Sequence, residues 1–335
     1  MPDKIKFPKK PKGINDLTRF PSLKANWEYS HSVLHKLHEK LNSEISNENL
    51  AIVVAGSYGR LDASKESDLD FMVLTDHVDE SVQKAKDKLL ELAPHLDIKL
   101  PNPTGVFSKI IPVKEMIEKT GSGNDNLDTL AQRMLLLMES KAIYNEQYFR
   151  NIVDRLLHKY LKLLETDPEK EALFFLNDII RYFRFICVNY EFNFWKQEDK
   201  WVIRNVKLRH SRIIMYAGLL FLILNASKFR DERKTKFSYI AENIYLTPLE
   251  KILHVYHDNN DPSYSRILGI YDIFLRKISD SNIRASLRAD YEERYSNPYY
   301  AEMKVNSDSL QTELTRFIFS RRGIWTDQIF EYLIF

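Results

Sequence analysis

Hydrophobic and polar positions change their period twice within the first third of the chain. Between residues 21 and 49 the apolar side chains recur at helical spacing, which predicts an amphipathic helix. The apolar positions of this helix are Leu23, Trp27, Val33, Leu34, Leu37 and Leu41. Residues 50–56, LAIVVAG, then form a continuous apolar run, rich in β-branched side chains and closed by glycine, which is typical of a buried strand.

The following segments repeat this exchange of strand and helix. Residues 68–75, DLDFMVLT, predict a second strand, and residues 79–93 predict a second helix. Residues 96–100, LDIKL, predict a third, shorter strand. We therefore expect the order helix, strand, turn, strand, helix, strand up to residue 100.

The remainder of the chain carries a different pattern. Residues 120–126, TGSGNDN, have linker composition, and beyond them helical spacing predominates. Helices are predicted over residues 127–143, 146–164, 168–196, 207–226, 234–257, 262–295 and 306–320. We expect an α+β protein with a small mixed-sheet domain over residues 1–122, including a basic tail over residues 1–20, and an α-helical domain over residues 123–335.

Composition and charge narrow the class of protein. The 335 residues suffice for two domains, and a net charge of +2 gives no global field that would recruit nucleic acid. One cysteine, Cys187, excludes a disulfide within the chain and fits a reducing compartment. The most apolar segment, residues 213–226, is shorter than the roughly 20 residues that cross a bilayer. We expect a cytoplasmic protein without a membrane partner.

Two aspartates at the start of the second predicted strand are candidate metal ligands. Asp68 and Asp70 are one residue apart, so on a strand their side chains project to the same face. Like charges on one face of a buried strand repel, and burial adds a cost of several kcal/mol for each ion. A divalent cation offsets both costs. Mg²⁺ prefers carboxylate oxygens, and substrate phosphates usually complete its coordination.

The loop between the first two predicted strands supplies candidate phosphate ligands. In GSYGR, Gly56 lets the backbone approach a ligand closely, and Ser57 adds a hydroxyl beside exposed N–H groups. Arg60 adds a fork-shaped cation that suits a phosphate. The loop and the aspartates together predict a site for a metal–nucleotide complex.

The segment GSYGRLDASKESDLDF resembles the nucleotidyltransferase signature of the DNA polymerase β superfamily, a Gly-Ser pair followed after about ten residues by Asp-apolar-Asp. The domain of the bacterial protein uridylyltransferase is a similar one. HLDIKL falls where the third strand of the family carries a carboxylate, here Asp97, and AQRMLLLMESKAIYNEQYF resembles the helix that follows the core. The resemblance covers residues 50–150, and the helical remainder resembles members of this group far less.

The resemblance implies a reaction and a set of ligands. Asp68, Asp70 and Asp97 would bind two Mg²⁺ or Mn²⁺ ions, and Asp97 would also take the proton of the acceptor. A nucleoside monophosphate would pass from an NTP or dNTP to a hydroxyl, and pyrophosphate would leave by the two-metal logic of polymerases.

The acceptor of that reaction stays open. One hypothesis is a protein hydroxyl, including Tyr332 of this chain, which lies three residues from the end. Another is a nucleic-acid end, which would give oligonucleotides or tailed RNA, for example in a toxin or antiphage defence system. The near-neutral charge argues mildly against a long duplex. A non-catalytic nucleotide-binding regulator is the third hypothesis, although both aspartates of the signature are present. The oligomeric state is not predicted.

A basic segment of the helical half has two interpretations. Residues 204–212, RNVKLRHSR, place five basic side chains within nine positions. They form either a solvated helix face or a set of cations for the triphosphate, in which case Lys207 and Arg212 are the candidates.

Overall fold

A computed structural model of the chain describes residues 10–101, 107–167, 169–192, 200–229, 233–288 and 291–334. The chain separates into two compact units. The first is built mainly from Ala25–Lys162, and the second from Lys12–Lys24 and Leu163–Phe335.

The described residues of the first unit contain a mixed four-stranded sheet. Its strands are β1 (Leu50–Val54), β2 (Phe71–Thr75), β3 (Lys109–Pro112) and β4 (Lys141–Tyr144), in the order β3-β2-β1-β4. β1 pairs antiparallel with both β2 and β4, while β2 pairs parallel with β3. Every residue of β1 and β2 is buried, as their continuous apolar runs predict. The sheet and the helical second unit confirm the α+β class.

Helices surround this sheet. They are α1 (Pro21–Glu44), α2 (Gly56–Arg60), α3 (Glu80–His95), α4 (Val113–Lys119), α5 (Leu127–Glu139) and α6 (Glu146–Leu161). On α1 the predicted apolar face is the buried one, since Leu34, Leu37 and Leu41 have no exposed surface. α3 begins where the Asp79 side chain accepts a hydrogen bond from the Val82 amide.

The predicted strand over residues 96–100 is wrong. After α3 the chain makes a tight turn in which the Asp97 amide donates to the Pro94 carbonyl and Asp97 takes a left-handed φ of 57°. Lys99 forms an isolated parallel bridge with Asp68, and the extended partner of β2 is β3. The helix C-terminal turn therefore uses the residues that the apolar alternation had assigned to a strand.

The predicted boundary between the domains, at residues 122/123, also differs from the structure. The helix predicted over residues 127–143 ends at Glu139, and Lys141–Tyr144 joins the sheet beside β1. Because β4 and the helix after it belong to the first unit, that unit extends to Lys162. The short run KAIY continues the helical spacing before it, so its strand pairing depends on a partner that is distant in sequence.

The second unit is helical in its described residues. Its helices are α7 (Leu163–Thr166), α8 (Leu173–Phe192), α9 (Trp201–Lys207), α10 (Ile213–Ala226), α11 (Arg233–Asn243), α12 (Pro248–Asp258), α13 (Tyr264–Ser279), α14 (Ser281–Ser286), α15 (Pro298–Ser320) and α16 (Asp327–Ile334). α10 is buried along nearly its whole length, as expected of a core helix. A Cβ on Gly218 would lie 2.5 Å from the Pro248 carbonyl oxygen, so α10 and α12 pack closely.

Several long predicted helices are interrupted. A π-helical turn, Leu208–Arg212, separates α9 from α10, and the segments predicted over residues 234–257 and 262–295 each divide into shorter helices. Part of the helix predicted over residues 168–196 lies outside the described residues. Within the described ranges, helices with the length and apolar character needed to span a bilayer are absent.

The predicted basic tail is partly a packed segment. Residues 1–9 lie outside the described residues. Farther along, Ile14 and Phe20 are buried, and the Lys12 amide donates to Glu250 Oε1 at 2.7 Å. Residues 12–20 therefore belong to the second unit, where His257 Nε2 also contacts the Gly13 carbonyl at 3.0 Å.

Candidate active site

The loop after β1 approaches the second aspartate of the signature closely. Gly56 begins α2 with a φ of +60°, in the left-handed region that favours glycine. A Cβ at this position would lie 2.4 Å from Asp70 Oδ2. Gly56 is thus required both by its backbone conformation and by the carboxylate beside it.

The two aspartates lie directly before β2. Leu69, between them, is fully buried, whereas Asp68 is exposed and Asp70 is half-buried. The Asp70 carbonyl accepts from the Ala55 amide at 2.8 Å, and the Leu69 amide donates to the Lys99 carbonyl at 2.8 Å. The Asp70 amide also donates to the Asp68 carbonyl at 3.2 Å, which closes a three-residue turn before β2. These backbone contacts fix the positions of both aspartates.

The loop and the aspartates meet at one end of the β1–β2 pair. Val54, the last residue of β1, is opposite Phe71, the first residue of β2. Gly56 and Ser57 follow β1 directly, and Asp70 precedes β2 directly. Ser57 is half-buried at the second position of α2, and its carbonyl accepts from the Asp62 amide at 2.9 Å. An antiparallel pairing thus brings the predicted phosphate loop and the predicted metal ligands together.

Arg60, the predicted phosphate ligand, is bound by two carboxylates of the first unit. Its side chain is buried, with Nε 2.9 Å from Asp62 Oδ2 and Nη1 2.6 Å from Glu139 Oε2. A second contact, Nη2 to Asp62 Oδ1 at 3.2 Å, makes the Asp62 pair bidentate. The guanidinium is therefore held by two carboxylates inside the unit, and a phosphate would have to displace them.

Glu139, at the end of α5, is a site residue that the sequence analysis missed. Its Oε1 accepts a hydrogen bond from the Gly56 amide at 3.2 Å. Gly59 packs on the same residue, because a Cβ there would lie 1.9 Å from the Glu139 carbonyl oxygen. The available signal was one acidic residue at the end of the apolar run LLLME.

Tyr58 places a neutral phenol inside the loop. The side chain is fully buried, and within the described part of the chain its hydroxyl has no hydrogen-bond partner. Burial raises the pKa of Tyr58 well above its ordinary value, and Tyr29 and Asp68 raise it further. The hydroxyl consequently keeps its proton at neutral pH.

Asp97 is not brought together with the other two aspartates. It is exposed in the turn after α3, and among the described residues no group of three or more His, Cys, Asp or Glu side chains converges to hold a metal. The side chain of the nearby Lys99 donates to Glu66 Oε2 at 2.9 Å. The three-carboxylate set expected from the resemblance is therefore not assembled here.

Asp68 and Asp70 by themselves fit a divalent cation bound with a nucleotide. Their donors are carboxylate oxygens, and Mg²⁺ is commonly held by one or two carboxylates together with substrate phosphates. Asp68 pairs with no basic side chain in the described part of the chain. Within those residues, the charge of this carboxylate is therefore not balanced by an ion pair.

The remaining predicted residues lie in the second unit. Lys207 ends α9 and Arg212 ends the π-helical turn, and both are half-buried. His210 anchors this turn: Nδ1 contacts the Val206 carbonyl at 2.8 Å, and burial lowers the pKa of His210 to about 4. Tyr332 is half-buried on α16. The nucleotide-binding role of the two cations and the acceptor role of Tyr332 stay predictions.

Comparison with known proteins agrees with this geometry. Residues 34–119 match the family described as the nucleotidyltransferase domain. The match includes the glycine loop and both aspartates before β2, and it ends with α4. The chain has no match among the curated proteins. The matched part of the first unit is similar to a nucleotidyltransferase domain, which supports nucleotidyl transfer in general without a particular substrate.

Proposed function

We propose that this protein is a metal-dependent nucleotidyltransferase that moves a nucleoside monophosphate from an NTP or dNTP to a hydroxyl acceptor. The observation that carries the proposal is the meeting of Gly56 and Ser57 with Asp68 and Asp70 at one end of β1 and β2, within the matched domain.

The side chains of the glycine loop and those of the two aspartates before β2 have different proposed roles. Asp68 and Asp70 would hold Mg²⁺ or Mn²⁺ against the nucleotide, and the bound metal supplies positive charge to the phosphates. Ser57 would donate its hydroxyl to a phosphate oxygen. The Gly56 amide is engaged by Glu139, so the backbone donors of the loop would begin at Ser57.

The proposed reaction needs no reactant besides the nucleotide and the hydroxyl acceptor. The acceptor oxygen forms a bond to the α-phosphorus, and the bond from that phosphorus to the bridging oxygen breaks. Pyrophosphate leaves with the electron pair of that bond, and the hydroxyl proton passes to solvent. Holding both reactants in line lowers the entropic part of the barrier.

For the acceptor, we propose a protein hydroxyl, with Tyr332 as the first candidate in this chain. Ile329 and Phe330 of α16 are buried, while Tyr332 is half-buried two residues from the last described residue. A half-buried side chain can leave its packed position with a smaller loss of buried area than a fully buried one.

Labelled nucleotides test both parts of the proposal. The protein is incubated with each NTP and dNTP labelled at the α-phosphate, with Mg²⁺ or Mn²⁺, and protein-bound label is separated from free label. The proposal expects label on protein, an intact-mass increase of one nucleotide, and loss of both in Asp68→Asn/Asp70→Asn.

The Tyr332→Phe variant then decides the acceptor. Loss of label in this variant supports Tyr332, and label that persists assigns another residue. Free oligonucleotides without a protein mass shift would replace the protein acceptor by a nucleic-acid acceptor. The absence of any metal-dependent transfer with all eight nucleotides, with and without added proteins and RNA, would contradict the proposed activity.

A further inference from the structure

Three buried charges lie behind the glycine loop. Arg60, Asp62 and Glu139 are only 8%, 7% and 2% exposed, and the guanidinium bonds both carboxylates. Burying charges is costly even when they are paired, so a cluster of this kind is weak evidence for stability alone. Its position directly behind the nucleotide loop indicates a further role.

The two carboxylate oxygens of Glu139 hold two different parts of α2. Oε2 accepts from Arg60 at the end of α2, and Oε1 accepts from the Gly56 amide at its beginning. Arg60 is oriented in turn by Asp62, whose carbonyl accepts from Asn26 Nδ2 at 3.0 Å. One side chain from α5 thus fixes both ends of the loop helix.

Gly56 transmits this restraint to the metal ligand. The position of a Cβ on Gly56 lies 2.4 Å from Asp70 Oδ2, so the Asp70 carboxylate rests against the Gly56 backbone. The preceding amide, Ala55, donates to the Asp70 carbonyl at 2.8 Å. A displacement of Gly56 would therefore change where the Asp70 carboxylate can lie.

We infer that Glu139 is a positioning residue of the metal–nucleotide site. Through the Gly56 amide and the Arg60 guanidinium, Glu139 fixes the position of the Asp70 carboxylate. This inference rests on the proposed function, because it gives Asp70 a metal to bind. Groups that support a metal ligand in this way typically change metal affinity or activity by about 10- to 100-fold when they are removed.

A second buried arginine, Arg133 on α5, provides a matched control. Arg133 is fully buried, and its Nη1 and Nη2 each lie 2.8 Å from an Asp125 oxygen. Its Nε donates to the Tyr160 hydroxyl at 2.8 Å. Loss of either arginine–carboxylate cluster should destabilise the first unit, but Glu139 bonds the glycine loop at Gly56, whereas Arg133 bonds Asp125 and Tyr160.

The test compares Glu139→Ala, Glu139→Gln and the control Asp125→Asn in the full chain. Binding of Mn²⁺ alone is measured by electron paramagnetic resonance of the free ion, and thermal melts record folding. We expect Glu139→Ala to weaken Mn²⁺ binding about 10- to 100-fold. Glu139→Gln keeps an oxygen for the Gly56 amide and should lose less, while Asp125→Asn should keep wild-type Mn²⁺ affinity despite a lower melting temperature.

The outcomes separate this inference from the proposed function. Wild-type Mn²⁺ affinity in folded Glu139→Ala, or an equal loss of affinity in Asp125→Asn, would overturn the positioning role and leave the proposed activity standing. If Glu139→Ala does not fold, unchanged affinity in Glu139→Gln together with an unchanged kcat for nucleotide transfer would overturn it. If the wild-type protein binds no Mn²⁺ and transfers no nucleotide, both the activity and the inference fail.

Discussion

Two pairs of acidic residues in the first unit differ in how their charge is balanced. Asp62 and Glu139 are buried, and both contact the Arg60 guanidinium. Asp68 is exposed and Asp70 half-buried, at the end of β1 and β2 where the glycine loop lies. Arg60 connects the pairs indirectly, because it sits in the same short helix as Gly56.

The difference shows what each pair contributes. A buried carboxylate must find a cation within the fold, since desolvation without a partner costs several kcal/mol. The Asp62–Glu139 pair has such a cation and shapes the loop. Asp68 is exposed and keeps its hydration in the folded protein, so its charge is suited to a bound metal.

The largest expected effect is on catalysis, from Asp68 and Asp70. Asp68→Asn with Asp70→Asn should lower the rate of nucleotide transfer by more than the roughly hundredfold typical of removing a group that only supports a metal ligand. Without metal, the variant should melt at or above the wild-type temperature, because two carboxylates that repel each other are removed. Transfer kinetics and thermal melts check the two parts. A near wild-type rate would contradict the assignment of the site.

The next largest effect is on stability, from the buried pair. Arg60→Ala leaves two buried carboxylates without their cation and should destabilise the unit by about 3–5 kcal/mol. Because this guanidinium is committed to Asp62 and Glu139, any loss of nucleotide affinity should be equal for triphosphates and monophosphates. Urea unfolding and nucleotide titrations measure both.

Arg150→Ala is the control for Arg60→Ala. Arg150 pairs with Glu146 on the exposed face of α6, where an ion pair contributes at most about 1 kcal/mol. A selective loss of triphosphate binding in Arg60→Ala would restore Arg60 as a phosphate ligand.

A smaller effect is expected at Gly56, where the loop contacts Asp70. Gly56→Ala adds a Cβ at 2.4 Å from Asp70 Oδ2 and forces alanine into a left-handed conformation that costs about 1–2 kcal/mol. The carboxylate must move, so Mn²⁺ affinity should fall. Gly123→Ala is the control, because a Cβ there has no heavy atom within 4 Å. Equal Mn²⁺ affinity in both variants would show that Gly56 does not fix the position of the Asp70 carboxylate.

The smallest effect is expected at Asp97. Asp97→Asn keeps a residue type that tolerates the left-handed turn, and the side chain is exposed, so stability should change by less than about 0.5 kcal/mol. Mn²⁺ affinity should stay at the wild-type value, since Asp97 does not join the other two aspartates in a cluster. A strong loss of kcat in this variant would return Asp97 to the catalytic set.

Local features of the site were predictable from the sequence. The places of Gly56 and Ser57 after β1, and of Asp68 and Asp70 before β2, follow from short-range rules: a glycine closes one apolar run, and the two aspartates precede the next. The buried face of α1 also follows from apolar periodicity, and the burial of α10 follows from its continuous apolar run, since removal of apolar surface from water is the main driving force for each helix.

Contacts distant in sequence were not predictable. Arg60 and Glu139 are 79 residues apart, and nothing in the pattern around either residue specifies the other. β4 forms because Lys141–Tyr144 meets β1, although its own spacing continues a helix. For Asp97, the alternation of LDIKL suggested a strand, whereas the turn that ends α3 determined the backbone conformation.

The most direct test of the central claim is the binding of Mn²⁺ to the wild-type protein and to Asp68→Asn/Asp70→Asn, each in the full chain and measured by electron paramagnetic resonance. We expect saturable binding in the wild type and its loss in the variant, with both proteins equally folded by thermal melt. Equal Mn²⁺ affinity in the two proteins would contradict the proposed site, because Asp68 and Asp70 would then not be the ligands of the metal.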